Sequence, residues 1–143
     1  MLVKNAMNKK VFIVEPNVTI KEAAKIMTQH RIGSLIVMQD KILVGILTER
    51  DILWKVVAGG LDPSNTLVQD VMTKEVITID ANQTVEEAAD LMAEKEIKKL
   101  PVIEDNKLIG IVTATDLITF QPKVIEALAK ILLFKEDESK VAG

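Results

Sequence analysis

The chain has 143 residues, with no cysteine, no tyrosine, one tryptophan, three phenylalanines and one histidine. Without cysteine there can be no disulfide, thiol nucleophile, iron–sulfur cluster or thiolate-ligated zinc. His30 alone cannot build a histidine-based metal or catalytic cluster, so no metal ligand and no catalytic residue is assigned. Four aromatic side chains give no stacking platform for single-stranded nucleic acid. Eighteen basic and 21 acidic residues are interspersed, for a net charge of −3, which leaves no stripe for a polyanion. Apolar runs stay short and no charged-then-apolar leader opens the chain. The expectation is a soluble, cytoplasmic protein without membrane or nucleic-acid partners, which binds rather than reacts.

Against this short inventory stands an internal duplication. Shifting the sequence by 65 residues lays Leu2–Ile52 on Leu67–Leu117 without a gap, and 20 of the 51 aligned positions are identical. The matches include Met7 with Met72, Glu22-Ala23-Ala24 with Glu87-Ala88-Ala89, Gly45 with Gly110, Thr48 with Thr113, and Asp51 with Asp116. A repeat of this kind is read before any fold is assigned. The first repeat is set at residues 1–58, a Gly/Pro/Ser/Asn linker at 59–65, and the second repeat at 66–121. A C-terminal helix and polar tail occupy 122–143.

Each repeat reads as β-α-β-β-α. The β-branched runs Val11–Val14 and Val76–Ile79 predict strands. Thr19-x-x-Glu22 and Thr84-x-x-Glu87 predict capping boxes at the start of helices. Behind them Ile20, Ala23, Ala24 and Met27, and Val85, Ala88, Ala89 and Met92, share one helical face. A hairpin follows, from Leu35–Met38 to Ile42–Leu47 and from Leu100–Ile103 to Lys107–Val112, with polar turns between. The fold class is therefore α/β (α+β), two repeats expected to pack about a pseudo-two-fold axis, with a C-terminal helix added. The apolar stripe from Val124 to Leu133 is expected to close the core or build an oligomer, and Lys135–Gly143 to fray.

The element that points to function is Gly45-Ile46-Leu47-Thr48-Glu49-Arg50-Asp51 and its echo Gly110-Ile111-Val112-Thr113-Ala114-Thr115-Asp116. Read mechanically, Thr caps a helix, Asp closes the capping box and Gly permits close backbone approach. Read functionally, helix-start amides and the Thr hydroxyl suit a phosphate, and the Asp suits a ribose diol. Arg50 adds a planar cationic fork for phosphate.

Two such motifs in register, on matching units, resemble a tandem pair of CBS (cystathionine-β-synthase) domains, or Bateman module, of the small stand-alone prokaryotic type. The likeness covers about residues 1–120. It implies a non-catalytic regulatory or energy-sensing module without a required cofactor. Its ligands would be adenosine-containing: AMP, ADP, ATP, S-adenosylmethionine or NAD, in clefts between the repeats. By that likeness Asp51 and Asp116 bind ribose hydroxyls, and Thr48 and Thr113 meet phosphate or ribose. Ile13, Ser34 and Ile36 in one repeat, and Thr78, Lys99 and Pro101 in the other, border the base. A homodimer of pairs and an effector protein are the implied partners. The alternative is a structural or interaction protein whose caps hold no ligand.

The two sites are expected to differ. Ile36 stands where the second repeat has Pro101, and Thr115 takes the place of Arg50, which favours the Arg50 site for a phosphorylated ligand. Trp54 is expected in packing or an interface, His30 at a helix end, and the methionines in the core.

Overall fold

The computed structural model describes residues 1–132; Leu133 of the apolar stripe and the stretch Lys135–Gly143 lie outside the described residues. In chain order the elements begin with α1 (Val3–Ala6), β1 (Ile13–Val14), α2 (Ile20–His30), β2 (Ser34–Gln39) and β3 (Ile42–Thr48). A short α3 (Glu49–Asp51) runs on as a π-helical segment over Ile52–Val57, and a 3-10 turn follows at Val68–Asp70. Then come β4 (Ile79–Asp80), α4 (Val85–Lys95), β5 (Lys99–Glu104), β6 (Lys107–Thr113), α5 (Ala114–Phe120), a 3-10 turn at Pro122–Val124 and α6 (Ile125–Leu132). The fold is mixed α/β, with two three-stranded sheets in the orders β1-β2-β3 and β4-β5-β6.

The expected strands and helices form, with shorter first strands: only Ile13–Val14 and Ile79–Asp80 enter the sheets. β1 pairs with β2 in parallel, since a helix connects them, and β2 pairs with β3 antiparallel through a tight turn. Both central turn residues have positive φ, at Asp40 (52°) and Lys41 (67°), and again at Asp105 (52°) and Asn106 (63°). That pattern is the primed hairpin turn, whose twist suits the flanking strands. On α2, Ile20, Ala23 and Met27 are buried while Ala24 is only partly covered; on α4, Val85, Ala88, Ala89 and Met92 are all buried.

The capping boxes differ from expectation in one copy. Thr84 and Glu87 satisfy each other's backbone amides, at 3.1 and 2.9 Å. At the start of α2 only half the box forms: the Glu22 amide donates to the Thr19 hydroxyl at 3.2 Å, and no return bond from Glu22 is made.

The chain divides into two compact units that are not cut where the sequence repeats are. The first is Val11–Val76; the second joins Met1–Lys10 to the chain from Ile77 on. Within the second unit Val3 and Ala6 are buried in the core with Val85, Ala88, Leu100 and Leu117. Within the first, the equivalent Val68 and Val71 are buried with Ile20, Ala23, Leu35 and Leu47. Each leader, residues 1–10 in the second unit and 66–76 in the first, is anchored near both of its ends in its unit. The Val3 amide donates to the Gln83 carbonyl and the Val68 amide to that of Val18, both at 2.8 Å. Farther along, Asn8 exchanges two backbone bonds with Ile111 at 2.8 and 3.0 Å, and Thr73 exchanges two with Ile46 at 2.9 and 3.0 Å.

These crossings explain the two motif glycines. A Cβ on Gly45 would lie 2.5 Å from the Met72 sulfur and 3.1 Å from the Thr73 carbonyl oxygen. On Gly110 it would lie 2.6 Å from the Met7 sulfur and 2.9 Å from the Asn8 carbonyl oxygen. The methionine can swing aside, but the paired backbone cannot. The C-terminal stripe closes the second unit's core: Val124 and Leu128 are buried in it, and Ile131 and Leu132 pack against it.

Two outcomes follow from these contacts. Gly110→Ala should cost about 1–3 kcal/mol, as overpacking does, read as a lower urea midpoint. Hydrogen bonds from the Thr84 backbone and hydroxyl hold the Glu87 carboxyl below the ordinary glutamate range. A lowered folded-state pKa gives stability that is fully present above the unfolded value and lost as pH falls through the folded one. A carboxyl NMR titration should show Glu87 ionising below the ordinary glutamate range, and Thr84→Ala should move that midpoint upward.

Candidate functional site

At the end of β3, Thr48 keeps extended backbone (φ −115°, ψ 161°) and the helix starts directly after it. The Thr48 hydroxyl accepts from the Asp51 amide at 3.2 Å and donates to Asp51 Oδ2 at 3.0 Å. The Thr48 amide donates to the same oxygen at 3.0 Å. The other carboxylate oxygen, Oδ1, meets Lys55 Nζ at 3.1 Å and the Thr73 hydroxyl at 3.3 Å. Asp51 is 7% exposed, the only buried charged residue among the described residues. Burying a carboxylate is costly unless it is paired and hydrogen-bonded, and here it is both. Lys55 is tethered in turn, donating to the Val71 carbonyl at 2.8 Å.

The second unit repeats the cap with fewer partners. Thr113 has φ −111° and ψ 162°; its amide donates to Asp116 Oδ2 at 2.9 Å, and its hydroxyl accepts from the Asp116 amide at 3.0 Å. The mechanical reading of the motif is therefore correct in both units: Thr and Asp form a reciprocal capping box.

The other expected site residues cluster around these caps. Ser34 lies opposite Thr48 across the β2–β3 ladder, Ile36 lies opposite Ile46, and Ile13 pairs with Ile36 on the other side. Ile13 is half exposed and Ile36 is buried. In the second unit Lys99 lies opposite Thr113 and Pro101 opposite Ile111. Thr78 is exposed, one residue before the Ile79–Val102 pair. Thr115 is exposed in the first turn of α5. Each unit thus gathers its six candidates at one end of its sheet.

Arg50 points to a different partner than expected. Its guanidinium lies over the Trp54 ring, 5.0 Å from the centroid, one helical turn on. A cation–π contact at so exposed a place is worth about 0.5–1 kcal/mol. The cation that meets Asp51 is Lys55, which the motif did not single out, although the four-residue spacing on a helix is legible. Thr73, 22 residues from Asp51, leaves no local signal. Phe12 stacks on His30 with ring centroids 4.4 Å apart. Among the described residues no group of three or more His, Cys, Asp or Glu could hold a metal ion. Nor is any helix there long and apolar enough to cross a membrane.

Comparison with known proteins decides the family. The model of the CBS domain matches twice, at residues 3–58 and 68–123. The chain belongs to the CBS domain family. It is 42% identical over 115 residues to the CBS domain-containing protein YhcV of Bacillus subtilis, covering 80% of this chain and 81% of that one. Its structure is similar to the CBS domain protein NE2398, with a TM-score of 0.79, 34% identity, and 84% and 96% of the two chains covered. It is also similar to the CBS domain pair of protein MJ0100, with a TM-score of 0.75 and 30% identity, over 86% and 97% of the two chains. That pair was crystallised with methylthioadenosine and S-adenosyl-L-methionine.

The unequal networks around the two aspartates predict unequal costs of removing them. Asp51→Ala strips four bonds from a buried charge and should cost about 1.5–3 kcal/mol, the scale of hydrogen bonds to charged groups. Asp116→Ala removes a cap only and should cost about 0.5–2 kcal/mol. Urea denaturation of the two variants checks the order.

Proposed function

We propose that this CBS pair is a regulatory module that binds adenosine-containing ligands at its two Thr-x-x-Asp motifs. What carries the reading is the MJ0100 pair, similar over 86% of this chain and holding two adenosine compounds. The site chemistry agrees with it. In each unit a Thr hydroxyl and an Asp carboxylate sit where a strand gives way to a helix. Carboxylates accept the two donors of a ribose diol, and helix-start amides favour phosphate. Adenine would lie against aliphatic side chains and backbone, Ile13, Ser34 and Ile36 in one unit and Thr78, Lys99 and Pro101 in the other. Phe12, whose carbonyl accepts from the Ile36 amide, is already engaged by His30.

A second reading, a self-associating or partner-docking protein, rests on one observation. Leu53, Trp54 and Val57 on the π-helical segment are 57%, 63% and 66% exposed. Apolar side chains grouped at a surface mark contact sites. A homodimer is the form of this reading that the family likeness favours, and it is compatible with ligand binding.

Thermal unfolding in the presence of AMP, ADP, ATP, S-adenosylmethionine, methylthioadenosine and NADH tests the first reading. A ligand at 100 times its dissociation constant stabilises by about 2.7 kcal/mol, a plain shift in the transition. No shift with any of the six at millimolar concentration would leave only the second reading.

A further inference from the structure

A carboxylate offers about four acceptor positions. At Asp51 four donors converge on them: the Thr48 amide and hydroxyl at Oδ2, and Lys55 Nζ and the Thr73 hydroxyl at Oδ1. At Asp116 the Thr113 amide is the one donor among the described residues. The difference at Oδ1 is written in two substitutions between the repeats. Phe120 stands where the first repeat has Lys55, and is half exposed with no group to donate. In the second unit Asn8 stands where the first unit has Thr73, and its side-chain oxygen accepts from the Lys10 amide instead. Asp116 therefore has an open oxygen where Asp51 has none.

We propose that Lys55 is a latch on Asp51, so that the two motifs of this pair bind a ribose unequally: the Asp116 motif first, the Asp51 motif only after Lys55 has let go. The inference rests on the adenosine-binding reading above. A ribose diol brings two O–H donors, and Asp51 accepts neither until the Lys55 and Thr73 bonds to Oδ1 break. Lys55 is suited to a reversible role. Its side chain is 49% exposed, four flexible carbons long, and keeps the Val71 carbonyl as an acceptor when it leaves Asp51. An ion pair with one partner so exposed is weak, so Lys55 handicaps the site roughly two- to fivefold, and the Thr73 bond adds to that without closing it. The handicap reverses the preference that Arg50 suggests, because the guanidinium is held over Trp54 while the ammonium holds the carboxylate.

Isothermal titration of the full chain with AMP, and separately with methylthioadenosine, tests the latch. Wild type should bind in two steps separated by fivefold or more in affinity, with Asp116→Ala losing the tight step and Asp51→Ala keeping it. Lys55→Met should strengthen the weak step roughly two- to fivefold and leave the tight one unchanged, while Lys55→Arg keeps the wild-type pattern. Should Lys55→Met fail to fold, Thr73→Val, which removes the other Oδ1 donor, should strengthen the same step. Two equal steps in wild type, loss of the tight step in Asp51→Ala, or a weak step unmoved in Lys55→Met would overturn the latch and leave adenosine binding standing. A merely structural Lys55 gives that last result together with a lower unfolding midpoint. No heat with either ligand in any variant would overturn both.

Discussion

At Gly45 and Gly110 a neighbouring stretch of chain passes so close that a single methyl group would strike a carbonyl oxygen held in a two-bond bridge. This close passage organises each unit. It fixes where the leader runs and seats Val3 and Ala6, or Val68 and Val71, in the core. Because leader and sheet meet through backbone bonds on one side and buried side chains on the other, neither can shift alone. Each leader comes from the repeat other than the one whose strands it covers. A single CBS repeat of this chain would lack part of its own core, which gives a physical reason for tandem arrangement beyond mere duplication.

The same passage reaches the candidate site. Thr73 bridges Ile46 through its backbone and donates to Asp51 through its hydroxyl, so the residue that pins the leader also sets the carboxylate. Motif and scaffold are thus one piece: Gly admits the leader, Thr caps the helix, and in the first unit Asp51 joins cap to leader. Capping and ligand binding need the same groups. A Thr–Asp pair can hold a helix start and still offer an oxygen, as at Asp116, or be used up, as at Asp51.

Much of this was legible in the sequence, for identifiable reasons. Hydrophobic period and turn residues marked α2, α4 and both hairpins, because those signals are local. The capping boxes at Thr48 and Thr113 followed from residue type and spacing alone. The leaders were not legible as structural elements, although Leu2-Val3 and Leu67-Val68 align. Their order comes from a bridge to a strand roughly a hundred residues away in one case and about thirty in the other, and no local pattern encodes that. Lys55 stands at a readable helical spacing from Asp51 but beyond the motif, whereas Arg50 lies inside it.

Duplicated sites diverge most cheaply at positions that touch the functional group without supporting the fold. Gly, Thr and Asp are kept in both copies because the leader crossing and the helix start depend on them. The positions of Lys55 and Phe120, and of Thr73 and Asn8, answer to weaker demands: an exposed helix flank and a bridge made by backbone alone. Side chains there are free to vary while the bridge persists. Two exchanges at such positions change a carboxylate from open to saturated while the strand, turn and cap around it stay superposable in register. A pair built this way carries two readings of one motif. On the proposed adenosine-binding reading, the shortage of aromatic side chains sharpens the effect: without a stacking ring for adenine, the occupancy of each aspartate would weigh more heavily on which motif fills.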